Sequence, residues 1–135
     1  MKKVLAFLLC SFFLFGCTEV PVYAFEIQGE VYNMILDTNQ ELELQELEDG
    51  FLITGENVSI QGMFIDSQAF DEYYKTILAD SNAKIVEKDD RRLIWQIDDE
   101  QDYLYLISDQ SAVLMGSLNE VQQIYQGISF EKNLD

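Results

Sequence analysis

The chain has 135 residues, enough for one small domain with a single hydrophobic core. It carries 25 acidic and 8 basic residues, a formal net charge of −17, and no basic residue occurs from Val4 to Tyr74. This charge excludes nucleic acid as a partner, since phosphates are bound by basic side chains, and it favours cations or a basic protein. A simpler interpretation is that the charge keeps the domain soluble and monomeric.

Residues 1–16 are predicted to be an export signal. Lys2 and Lys3 precede an apolar run that is too short to span a bilayer of roughly 30 Å, so we expect it to be cleaved. The run ends in Leu14-Phe15-Gly16-Cys17, which resembles the lipobox of bacterial lipoproteins, although that family usually has a small or β-branched residue at position 15. The resemblance implies cleavage before Cys17, lipidation of its thiol and anchorage to a membrane outside the cytoplasm.

A second cleavage site competes with the first. The stretch Val22-Tyr23-Ala24 has the small-residue form of an ordinary signal peptidase site, and a cut after Ala24 would release a freely secreted protein. With the lipoprotein cut, we expect a signal over residues 1–16, a tether over 17–24 and one domain over 25–135.

The residue types present exclude several chemistries. Cys10 lies in the signal, Cys17 is lipidated or removed, and the chain has no histidine. The folded domain therefore lacks a thiol nucleophile, a Ser-His-Asp triad and a Cys/His zinc site. We expect a protein that is not an enzyme, with no catalytic residue and no cofactor apart from a possible calcium ion.

The first half of the domain is predicted to be mostly strand. Loose alternation from Phe25 to Leu36 predicts one or two strands, with a bulge or bend at Gly29. Asp49-Gly50 predicts a tight hairpin. The other predicted strands are 41–45, 51–54 and 58–65, the last interrupted by Gly62.

A helix is predicted over residues 67–79. Asp66 or Ser67 can cap its N-terminus. Its apolar residues recur with helical spacing and form one stripe: Phe70, Tyr73, Tyr74, Ile77 and Leu78.

Four short strands with polar turns follow and predict an antiparallel meander. They are 84–87, 93–97, 103–107 and 112–115, with Asp99–Gln101 as one of the turns. Both alternating faces of Tyr103–Ile107 are apolar, which is typical of a central strand covered on both sides. Trp95, one strand away, is expected in the core.

The chain closes with a predicted second helix. Ser117 and Glu120 have the spacing of a capping box, and Gly127 stands where a C-terminal cap is expected. Together the elements predict an α+β fold with a mainly antiparallel sheet and two helices. The pattern leaves open whether the first strands join the meander or form a separate sheet.

Two candidate binding features stand out. Asp98, Asp99, Glu100 and Asp102 could supply carboxylates to a calcium ion, although the glycine of a calcium loop is absent; the alternative is a solvated hairpin turn. The tyrosines could line an apolar groove or lie in the core. They are Tyr73, Tyr74, Tyr103, Tyr105 and Tyr125.

These features favour a binding protein. We expect an extracytoplasmic lipoprotein that acts as a binding or accessory module for an envelope protein, with the membrane reached through Cys17. A basic envelope protein suits the negative charge. The alternative is a secreted domain that binds a cation or a small ligand.

Overall fold

The computed structural model describes residues 7–9 and 21–133 and contains two antiparallel sheets and two helices. The predicted α+β fold is therefore confirmed. The lipobox residues, Leu14 to Cys17, lie outside the described residues.

The smaller sheet has four strands in the order β1-β2-β3-β11. Its strands, numbered in chain order, are β1 (Phe7–Leu9), β2 (Val22–Ile27), β3 (Glu30–Leu36) and β11 (Ile128–Lys132). Gln28 and Gly29 form the turn between β2 and β3, both with positive φ, so the bend expected at Gly29 is present. Since β1 lies within residues 1–16 and β2 begins at Val22, the sheet contains residues that we assigned to the signal and to the tether.

The larger sheet has seven strands in the order β4-β5-β6-β10-β9-β8-β7. Its strands are β4 (Glu43–Leu47), β5 (Gly50–Gly55), β6 (Val58–Asp66), β7 (Lys84–Lys88), β8 (Arg92–Ile97), β9 (Glu100–Leu106) and β10 (Ser111–Ser117). The predicted meander is confirmed as β7 to β10, and β6 pairs with its last strand. The sequence left open whether the first strands join the meander or form a separate sheet. Strands β2 and β3 form the separate sheet, whereas β4, β5 and β6 extend the meander.

The main core lies between the two sheets. Phe25 of the smaller sheet packs its ring 5.8 Å from that of Phe51 and 5.3 Å from that of Phe64, both in the larger sheet. Tyr103 of β9 is buried in this core, whereas the next residue, Leu104, is buried on the opposite face. This confirms the prediction that β9 is covered on both sides.

Helix α1 (Ser67–Ala79) covers part of that opposite face, which we call the outer face of the larger sheet. The Asp66 carboxylate accepts a hydrogen bond from the Ala69 amide at 2.8 Å, so the predicted cap is confirmed. Phe70 and Trp95 are buried beneath the helix in a second, smaller core. Both the helix bounds and the buried tryptophan agree with the sequence prediction.

The predicted start of the second helix is wrong. Ser117 is the last residue of β10, and α2 (Gln122–Gln126) begins five residues later without a side-chain cap. The Ser117 hydroxyl instead accepts a hydrogen bond from the Asn119 amide at 3.2 Å. Pairing of β10 with its two neighbours holds Ser117 in extended backbone, and this overrides the local capping motif.

Gly127 ends α2, as predicted, but the reason is a contact with a distant residue that the local sequence does not show. A side chain there would collide with the backbone carbonyl of Asp37, and the Asp37 amide donates to the Gly127 carbonyl at 2.8 Å. The chain then enters β11, a strand that the sequence prediction lacked.

Gly62 does not interrupt β6, which is continuous. The Phe51 ring lies where a Gly62 side chain would be, with Cε1 only 2.6 Å from an added Cβ. We therefore expect Gly62→Ala to lower the free energy of unfolding by about 1 to 3 kcal/mol, since Phe51 is fully buried and has no room to retreat. Urea denaturation of the variant measures this.

A double-mutant cycle isolates the cause. In the Phe51→Leu background the added methyl group meets no ring, so the cost of Gly62→Ala should fall clearly below its cost in the natural chain. Equal costs in both backgrounds would show that the ring is not what constrains position 62.

Candidate functional site

The four predicted calcium ligands are divided by the fold. Asp98 and Asp99 form the exposed two-residue turn between β8 and β9, with φ of +54° at Asp98, so the turn lies one residue earlier than predicted. Glu100 and Asp102 lie two apart on β9 and face the outer side of the sheet. In the part of the chain that the structure describes, no three acidic side chains lie close enough together to hold a metal ion.

An open groove lies beside α1 on the outer face of the larger sheet. Helix α1 contacts β6, β9 and β10 but leaves their far ends uncovered, and a groove of about 830 Å³ remains there. We call it the outer groove. Its lining comes from six elements and the loop after β10: Leu52, Ser59, Gln61, Gly62, Met63, Tyr73, Ile77, Trp95, Ile97, Glu100, Asp102, Leu114, Met115, Gly116, Ser117, Leu118 and Asn119.

Apolar side chains at the groove are unusually open to solvent. Leu118 is 76% exposed, Met63 44% and Tyr73 37%, and these are half of the large exposed apolar residues among those described. Clustering of such residues around one concavity marks a surface that contacts something else. The sequence prediction missed this surface, since it placed Leu118 inside a helix cap.

Two carboxyl groups converge at the floor of the outer groove. Gly116 on β10 is paired with Asp102 on β9, and a Cβ added to Gly116 would lie 3.0 Å from Asp102 Oδ1 and 3.6 Å from Glu100 Oε2. Because position 116 is a glycine, the space above it stays open to both carboxyl groups. Within the described part of the chain, no basic residue lines the groove.

The Asp102 carboxyl is in an environment that opposes its charge. Its Oδ1 atom is buried and accepts no hydrogen bond from any described group. Burial, a hydrogen bond to Glu100 and the Glu100 charge raise the pKa of Asp102 from 3.8 to about 8. Two ionised carboxylates can only accept, so a proton on Asp102 is what allows it to donate to Glu100.

The opposite face of β9 fixes the position of this pair. The side chain of Gln101 is buried, and its Oε1 accepts from the Val121 amide at 2.7 Å. The Gln101 carbonyl accepts from the Tyr125 hydroxyl, also at 2.7 Å. These bonds tie β9 to α2 between the carboxyl groups, which gives the strand little freedom there. The sequence prediction had assigned Gln101 to a turn.

Most of the tyrosines are structural. Tyr103 and Tyr125 are fully buried with ring centroids 5.1 Å apart, and burial raises the pKa of both. Tyr74 donates to the Asp89 carbonyl at 2.8 Å. Of the five tyrosines proposed to line a groove, Tyr73 alone lines the outer groove.

Arg91 and Arg92, beside the start of β8, are held by local contacts, and Arg92 lies on the face of the sheet opposite the outer groove. Arg91 donates to the carbonyls of Leu106 and Ile107 at 3.1 and 3.0 Å. Arg92 pairs with Glu87 at 3.4 Å and lies 5.7 Å from the ring centre of Tyr103. Both therefore serve the fold rather than the groove.

Comparison with known protein families, with curated proteins and with solved structures found no match. Among the described residues, no helix has both the length and the apolar character needed to cross a membrane. Any functional conclusion must therefore come from the residues and the groove themselves.

Proposed function

We propose that this protein is a lipid-anchored extracytoplasmic binding module that holds a segment of an envelope protein in its outer groove. The observation that carries the proposal is the groove itself, an 830 Å³ concavity with exposed apolar walls and a pair of carboxyl groups at its floor. Its size and composition suit recognition rather than core packing.

Anchorage through Cys17 is favoured over secretion by the position of β2. Tyr23 and Ala24 are buried parts of that strand, and the Pro21 carbonyl accepts from the Leu36 amide at 3.1 Å. A cut after Ala24 would remove Pro21, Tyr23 and Ala24, whereas a cut before Cys17 keeps them; either cut removes β1. Only four residues, 18–21, then separate Cys17 from β2, which would keep the domain close to the membrane.

Photo-crosslinking in the native envelope tests the proposal. A photoreactive amino acid at Leu118, on the groove rim, should capture one membrane protein. The same amino acid at Val31, which is also exposed but lies on the other sheet, should not capture it. Met63→Glu, which places a charge in the groove, should abolish the capture, whereas Val31→Glu should leave it unchanged.

Two results would contradict the proposal. The first is capture of the same protein from Leu118 and from Val31, which would show that the contact reflects proximity alone. Capture that survives Met63→Glu would show that the partner does not use the groove.

A further inference from the structure

We propose that the outer groove recognises a segment in which one lysine or arginine side chain is flanked by apolar side chains, with the cation held between Glu100 and Asp102. This inference rests on the proposed function and adds the chemistry of the partner. It names a single occupant, a cationic and apolar stretch of polypeptide.

Charge complementarity is the first argument. Among the described residues, the ionisable side chains that line the groove are Glu100, Asp102 and the Tyr73 phenol, so these residues offer negative charge with nothing basic to offset it. A cation entering the groove meets both carboxyl groups at the point above Gly116. Hydrogen bonds between ionised partners are roughly twice as strong as neutral ones, and partial burial strengthens them further.

The unpartnered oxygen is the second argument. Buried polar atoms are almost always hydrogen-bonded, and among the described residues no group donates to the buried Asp102 Oδ1, because the polar group beside Asp102 is a second carboxyl, Glu100, rather than a donor. A lysine ammonium carries three donors and an arginine guanidinium carries five, so either can satisfy Oδ1 and a Glu100 oxygen together. The proton that Asp102 holds in the free protein leaves to solvent when the cation binds.

The apolar walls are the third argument. A small inorganic cation would use the carboxyl groups alone and would leave Met63, Leu114 and Leu118 facing water. Apolar side chains on either side of the basic residue would cover these walls and contribute most of the free energy of burial. The combination of one buried charge site and several apolar contacts is what distinguishes a polypeptide segment from a metal ion.

Matched peptides test this chemistry on the chain that starts at residue 18. The probe is an acetylated, amidated six-residue peptide with one central lysine between leucine and phenylalanine; its control carries Nε-acetyllysine instead. Binding is followed by the fluorescence of Trp95, the only tryptophan, and by the amide resonance of Gly116. We expect the lysine peptide to bind about tenfold more tightly than its control.

Variants separate a local site from the overall negative charge. The double variant Glu100→Gln/Asp102→Asn should remove the preference for lysine. The double variant Asp98→Asn/Asp99→Asn removes at least as much negative charge at the neighbouring turn, outside the groove, and should retain it. Loss of the preference in both variants would assign it to general electrostatic attraction and overturn the inference.

The remaining outcomes are also decisive. Equal binding of both peptides, or binding of neither, would overturn the cation site while the crosslinking result could still support the groove. If butylammonium binds as tightly as the peptide, the ligand of the site is a small amine, and the inference of a polypeptide segment is wrong. If the crosslinking fails but the preference for the lysine peptide is observed, the cation site is supported and the proposal of an envelope protein as the partner is wrong.

Discussion

A chain that starts at Phe25 should be less stable than one that starts at Pro21 by about 3 to 5 kcal/mol. The two chains differ by Pro21, which precedes β2, and by the first half of β2, in which Val22, Tyr23 and Ala24 pair with Ile35, Met34 and Asn33. Their loss removes the burial of Tyr23, which is 9% exposed, and several backbone hydrogen bonds. Urea denaturation followed by circular dichroism measures the difference in the free energy of unfolding.

A third chain, starting at Thr18, serves as the control. It should match the chain that starts at Pro21, because neither contains β1 and both keep β2 whole. If all three chains are equally stable, the first half of β2 contributes nothing and the argument against a cut after Ala24 is lost.

The mass of the protein processed in its host completes this test. A lipid-modified Cys17 at the N-terminus would agree with the stability order and with anchorage. An unmodified start at Phe25 would mean that the secreted form tolerates the loss of half a strand.

The elements predicted correctly are those whose signals are local. Helix α1 follows from the Asp66 cap and the spacing of Phe70, Tyr74 and Ile77, and the hairpin between β4 and β5 follows from Asp49-Gly50. The central position of β9 follows from its two apolar faces. Each signal lies within a dozen residues of the structure that it specifies, so no knowledge of distant pairing is needed.

The features that escaped prediction depend on distant partners. Strand β11 exists because it pairs with β3, about ninety residues earlier, and Ser117 extends β10 because Ile60 and Gln101 lie on either side of it. Gln101 was assigned to a turn from its sequence neighbours. It is buried in β9, where its side chain accepts a hydrogen bond from the Val121 amide. No local pattern contains these facts.

The candidate site was predicted in part. The acidic cluster drew attention to Glu100 and Asp102, but their separation from Asp98 and Asp99 depends on where the turn falls. The outer groove depends on how far α1 reaches across the sheet, which is a property of packing. Met63, an apolar residue that follows Ser59 and Gln61 on the outer face of β6, was the one sequence signal that could have indicated it.

The stability of this protein should fall as pH rises from about 4 to about 8, and Asp102→Asn should remove much of that fall. Asp102 keeps its proton in the folded protein up to a pKa of about 8, whereas an aspartate in the unfolded chain loses it near 3.8. Between these values the folded state binds more protons, so the stabilisation is complete below the unfolded pKa and is lost as pH rises through the folded pKa.

The size of the effect is bounded by the single proton involved. The slope cannot exceed about 1.4 kcal/mol per pH unit. Asp102 is only partly buried, so solvent screening reduces the total, and we expect natural protein and Asp102→Asn to diverge by about 2 to 3 kcal/mol across the window. The titratable groups that act on Asp102 are Glu100 beside it and the Tyr125 hydroxyl on α2.

Urea denaturation at pH 4.5, 6 and 8.5 measures the divergence, with Asp99→Asn as the control for a change of charge at the exposed turn. The free energy of unfolding of the control should change with pH as that of the natural protein does, whereas Asp102→Asn should be more stable than the natural protein at pH 8.5. Parallel curves for all three would mean that Asp102 titrates normally in the fold. The Asp102 carboxyl group lowers the stability of the folded protein at neutral pH, and a protein with asparagine at this position would be more stable. Asparagine could not bind a cation by charge, so an aspartate in a groove open to solvent is understandable if it serves a ligand.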